Sequence, residues 1–97
     1  MPTANTQTVA TTPEMAFTII IDAADRIIAG ADPVLSSFRL KQNTHRFDRE
    51  DVTELGYKLK LQLERHDRVH HVFCAMVEYP DGRWYFEVIV FLVTYSN

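Results

Sequence analysis

Residues 69–95 read VHHVFCAMVEYPDGRWYFEVIVFLVTY, and the way this stretch turns back on itself decides the fold. Two runs rich in β-branched and aromatic residues flank Pro80-Asp81-Gly82. Proline presets φ at the first corner of a turn, and glycine supplies the positive φ or the bulge that a tight hairpin needs. The stretch predicts a long C-terminal β-hairpin. With Tyr79 placed opposite Trp84, one side carries Phe73, Ala75, Val77, Tyr79, Trp84, Phe86, Val88, Val90 and Leu92, and reads as the core face. The other side carries His70, Val72, Cys74, Met76 and Glu78 beside Tyr85, Glu87, Ile89, Phe91 and Val93. It is polar near the turn and apolar at the far end. In so short a chain that apolar end calls for cover by more helix or by another subunit. The pattern assigns a protein interface to Val72, Met76, Ile89, Phe91 and Val93. Trp84 and Tyr85, beside Arg83 at the tip, are the residue types that dominate protein contacts, although Trp84 also fits the core face across from Tyr79.

Upstream, YKLKLQLE (57–64) alternates, with Tyr57, Leu59, Leu61 and Leu63 on one side and Lys58, Lys60, Gln62 and Glu64 on the other. Period two predicts a strand. The same residues are good helix formers, and Val52, Leu55, Leu59 and Leu63 also fall on a helical stripe over 49–66. A helix there would hold Gly56 in its interior at a cost of roughly 1 kcal/mol and would turn Leu61 outward. The strand is therefore preferred, preceded by a short helix that Asp48 caps and Gly56 stops.

Further back, TPEMAFTIIIDAADRIIAG (12–30) carries helix punctuation: Thr12 to cap, Pro13 at the first helical position, Glu14 in the first turn, Gly30 at the end. At about 100° per residue, Thr18, Asp22, Asp25, Arg26 and Ala29 share one arc, and alanine and isoleucine fill the rest. A helix so apolar is covered on more than one side. Asp32-Pro33 restarts the chain, with either a helical turn or a strand over 36–42. Residues 1–12 have almost nothing to bury and read as a polar arm that a neighbouring subunit or partner would hold. Residues 13–97 form a single α+β domain: an N-terminal amphipathic helix packed on a small antiparallel sheet that ends in the hairpin.

Composition narrows the function. The chain has 97 residues, 46% of them hydrophobic and 24% charged, with a formal net charge of −3. Those are values of a folding chain with one modest core, and the charge argues against a phosphate-tracking surface. The lone cysteine, Cys74, and an N-terminus without a basic segment leading into an apolar one point to a reducing, cytoplasmic setting. The longest apolar run, VIVFLV (88–93), is too short for a membrane span.

The cluster RHDRVHHVFC (65–74) raises the question of a metal site, because ligands must converge within about 2.0–2.3 Å of one ion. Strand geometry separates them. His70 and His71 point to opposite faces, and His70 and Cys74 lie roughly 13 Å apart along a strand. Only a helix through 66–70 would bring His66 and His70 into half a site, with Asp67 between them. Cys74, among Val72, Ile89 and Phe91, reads as a small buried hydrophobe and not as a nucleophile. Asp22 and Asp25 have the spacing of paired carboxylates but share a solvated stripe with Arg26. With three glycines in all, no glycine-rich phosphate loop or nucleophile elbow is present. A non-enzymatic protein without cofactor or metal is expected.

These readings converge on a small protein-binding protein: a homodimeric or larger assembly subunit, or an inhibitor-like accessory factor of the kind phages encode. The rival expectation is a nucleic-acid-binding module that uses Lys58, Lys60, Arg65 and Arg68 along one strand face with Arg83 at the hairpin tip. A third is metal or ligand binding at His66 and His70. On the interface reading, His70 lies opposite Val93 and would make association pH-sensitive near the ordinary histidine value of about 6.5.

Overall fold

The computed structural model describes residues 8–95, which run as α1 (Pro13–Ala29), β1 (Ser37–Thr44), α2 (Arg49–Leu63), β2 (Val69–Glu78) and β3 (Trp84–Leu92). The three strands form one antiparallel sheet in the order β1-β3-β2. Both outer strands run antiparallel to β3, so β1 and β2 are parallel to each other. They are joined through α2, and β3 lies between them, which makes a split β-α-β unit. The α+β architecture with an N-terminal helix on a small antiparallel sheet is as the sequence predicts.

α1 begins where its punctuation places it. The Thr12 side chain accepts the Met15 N–H, Pro13 opens the helix, and the Gly30 N–H closes on the Arg26 carbonyl. Ala16, Ile20, Ala24 and Ile28, one turn apart, are its buried line. The small alanines let α1 approach α2 and the sheet closely, and the solvated side carries an Asp22–Arg26 pair at 2.7 Å.

α2 overturns the strand expected at 57–64. Asp48 caps it through the Asp51 N–H at 2.9 Å, as expected, but Gly56 does not stop it. The helix continues to Leu63 and buries Leu55, Leu59 and Leu63. Both costs foreseen for a helix are borne: Gly56 is internal and Leu61 is 49% exposed. They are offset because three leucines at helical spacing reach the core together. A strand would have set Leu61 inward as well, and no fourth strand pairs with the sheet among the described residues.

The hairpin forms, but its register differs by one residue from the expected one. The Gly82 N–H donates to the Tyr79 carbonyl and the Tyr79 N–H to the Arg83 carbonyl, with Gly82 at φ +88°. Pro80 and Asp81 make a type I-like corner, and Gly82 is the positive-φ residue after it, the three-residue hairpin loop with a glycine bulge. Closure at Tyr79–Arg83 sets Glu78 against Trp84, Met76 against Phe86, Cys74 against Val88 and Val72 against Val90. The face under the helices is therefore Val72, Cys74 and Met76 with Phe86, Val88, Val90 and Leu92. His71, Phe73, Ala75 and Val77 lie on the other face with Tyr85, Glu87, Ile89 and Phe91. The expected core positions of Phe73, Ala75, Val77 and Tyr79 are thus corrected, and so are the interface positions of Val72 and Met76. A one-residue slip exchanges the faces of an entire strand.

Of the arm expected over 1–12, residues 1–7 lie outside the described residues. Ala10 is buried against the outer side of β1: its N–H donates to the Asn43 carbonyl and its carbonyl accepts the His45 N–H. The Gln42 side chain also donates to the Thr8 carbonyl. This part of the segment is held by the chain's own first strand.

Candidate protein-binding face

One face of the sheet carries both helices. The opposite face has no element over it among the described residues, and it gathers Ser37, Arg39, Lys41 and Asn43 from β1 beside the odd-numbered residues of β2 from His71 onward and those of β3. This open face has two zones. Near the hairpin turn, the Tyr79 hydroxyl donates to Glu87 Oε2 at 2.7 Å, and the Tyr79 and Tyr85 rings pack at 4.6 Å. Lys41 Nζ lies 4.5 Å and 5.0 Å from those two ring centres. Its hydrogen bond to Tyr79 chiefly holds the Lys41 ammonium above the usual lysine range, against some burial and with Tyr79, Tyr85 and Glu87 adding to the pull. Lys41 is thus cationic at any physiological pH, with its charge spread over two aromatic faces.

Toward the other end the face turns apolar. Phe73 is 55% exposed and Phe91 38% exposed, and His71 stacks on Phe91 with ring centres 6.2 Å apart. Ile89 lies directly opposite Phe73 and is the same-face neighbour of Phe91 along β3. Val93 is exposed just past β3. Of the interface expected from sequence, Ile89, Phe91, Val93 and Tyr85 lie on or beside this face. Phe73, Ala75 and Val77 replace Val72 and Met76 there. Trp84 lies on the helix side, half-buried, with the Arg46 guanidinium 5.3 Å over its ring. The Phe73 contribution was missed because register, and not composition, decides which face it occupies.

The cations considered for nucleic acid do not share a surface. Lys58 and Lys60 sit on a helix, about 200° apart around its axis, so the basic strand face expected from alternation does not exist. Lys58 pairs with Glu54 at 3.1 Å and Arg83 with Asp81 at 3.6 Å. Arg65 is exposed in the turn after α2. Arg68 faces inward instead: its guanidinium donates to the carbonyls of Val93 at 3.0 Å and Leu35 at 3.1 Å, and more loosely to Asp32 and Pro33. It also covers the Tyr95 ring.

The histidine cluster is similarly dispersed. His66 Nε2 lies 2.9 Å from Asp25 Oδ1 and ties the end of α2 to α1. His70 is the extra residue of a bulge between Val69 and His71, exposed on the outer strand. It does not face Val93. Cys74 lies under α2, where Gly56 brings the backbone close, and burial pushes its thiol up to about 11, with Lys60 pulling slightly the other way. A thiol in that environment stays protonated and is a poor nucleophile.

A groove of about 200 Å³ opens between the starts of the two helices, floored by Pro13, Phe17 and Leu55 and rimmed by Glu14, Asp51, Glu54 and Lys58. Burial and the surrounding carboxylates, Asp48 first among them, raise the Asp51 carboxyl above its ordinary value. No helix among the described residues is long and apolar enough to cross a membrane. Set against protein-family models, curated proteins and solved structures, the chain matches none of them. What the fold defines is a class: a small α+β domain with a split β-α-β unit and one open sheet face.

Proposed function

We propose that the protein acts by binding another protein through the open face of its sheet, as a small accessory or inhibitor-like factor without chemistry of its own. The observation that carries this reading is the exposure of Phe73 and Phe91 on one uncovered face, next to His71 and Ile89. Large aromatic side chains left in water, bordered by the charged and phenolic zone of Lys41, Tyr79 and Glu87, have the make-up of a contact with an apolar centre and a polar rim. The reducing interior of a cell suits this reading, because Cys74 is a free thiol beneath a helix. A photo-cross-linking residue placed at Phe91 and expressed in the source cells tests it. The expected result is a discrete protein adduct that a residue at Tyr57, exposed on α2 on the opposite side of the sheet, does not form. Equal or absent adducts at the two positions would overturn the reading.

A further inference from the structure

The two outer strands of the sheet are treated differently. The free side of β1 is partly occupied by Ala10 at Thr44, and β1 carries Arg39 and Lys41. The free side of β2 has no backbone partner among the described residues, and from His71 to Val77 the strand has no carboxylate, lysine, arginine or proline. Natural sheets protect such an edge with charge, proline or cover, because its N–H and C=O groups are a template for another strand. The bulge at His70 breaks the ladder to β3 there, so the exposed template begins at that residue.

We propose that β2 pairs antiparallel with β2 of a second copy, about a two-fold axis at Cys74, so that two sheets become one. The sequence of β2 is complementary to itself in this register. Directly opposed residues of an antiparallel pair share a face, so the axis must fall on a residue. With the axis at Cys74, the large exposed Phe73 meets the small Ala75 of the other copy, and Val72 meets Met76. His71 meets Val77. At each end the exposed His70 faces the exposed Glu78, and two-fold symmetry repeats every pair. Moving the axis to Ala75 would set Glu78 against Val72, and moving it to Phe73 would set Glu78 against Arg68, whose guanidinium is committed to Val93 and Leu35. The pairing uses the edge of the sheet, so it is independent of what binds the open face.

Sedimentation of the full chain over a wide micromolar range tests the register through its exposed ends. Wild type is expected to dimerise. His70→Glu, which puts carboxylates opposite each other twice, should weaken the dimer about tenfold, and adding Glu78→Lys should restore it. Circular dichroism checks that each variant is folded, and exposed positions make that the expected result. A wild type that stays monomeric, or a dimer indifferent to His70→Glu, would overturn the pairing. So would a dimer that Phe91→Lys dissolves while the His70 and Glu78 variants leave it intact, because that places the contact on the open face.

Discussion

Gly56 shows how a single residue records a close approach. A side-chain carbon added there would lie 3.7 Å from Cys74 Cβ, an ordinary van der Waals distance, so the helix and the strand are near but not in hard contact. Glycine in a helix interior costs about 0.5–1 kcal/mol relative to alanine. Gly56→Ala should therefore raise stability by about that amount, read as a higher denaturation midpoint with an unchanged slope. A lower midpoint would overturn the reading that a methyl group fits beside Cys74 without displacing it. Val72 and Phe73 supply the complementary contrast. Val72 is 5% exposed under the helices, and Phe73 is 55% exposed on the open face. Val72→Asp should unfold the protein or cost several kcal/mol, about 3–5, whereas Phe73→Asp should change stability by no more than about 1 kcal/mol. Urea denaturation of the two variants side by side decides it, and the opposite order would return Phe73 to the core.

At the scale of elements, the connections are held as firmly as the helices and strands. Arg68, at the entry to β2, gathers the carbonyls of Val93 and Leu35 and reaches toward Asp32 and Pro33, so one side chain joins the loop before β1, the start of β2 and the end of β3. The fork of a guanidinium serves several acceptors at once, and an ammonium cannot. Arg68→Ala should destabilise by about 1–2 kcal/mol and Arg68→Lys by a large part of that, measured by chemical denaturation. An alanine variant as stable as wild type would reduce Arg68 to a surface cation. The end of α2 is tied in the same way, by His66 on Asp25. Of the residues that looked like a metal cluster or a basic face, His66 and Arg68 thus fasten elements together.

For the molecule as a whole, the asymmetry of the sheet matters most. Both helices lie on one face, α1 with its alanine line against α2 and α2 over β2, and the core of Phe86, Val88, Val90 and Leu92 is sealed between them and the sheet. The other face and the β2 edge carry no further element among the described residues. Two helices on one side leave the other side of the sheet without cover among the described residues; such a face is ordinarily polar, and Phe73 and Phe91 are the departure from that pattern.

α1 from cap to cap, the cap of α2, and the hairpin with its Pro80-Asp81-Gly82 turn are legible in the amino-acid chain alone. Each of these is written in local chemistry: a hydroxyl or carboxylate that accepts an amide, a ring that fixes φ, a residue without a side chain. The chain alone also makes legible that Ile89 and Phe91 belong to an apolar surface separate from the core. The register of β2 and the identity of 57–64 were decided only by the tertiary structure. β3 is apolar on both faces, so hydrophobic alternation could not choose between closure at Tyr79–Trp84 and closure at Tyr79–Arg83. The glycine bulge chose, and it exchanged Phe73 for Val72. In 57–64 two periods overlap on the same leucines, and local costs at Gly56 and Leu61 favoured the strand. Burying Leu55, Leu59 and Leu63 together against a sheet outweighs those costs, and that gain exists only once the sheet is in place.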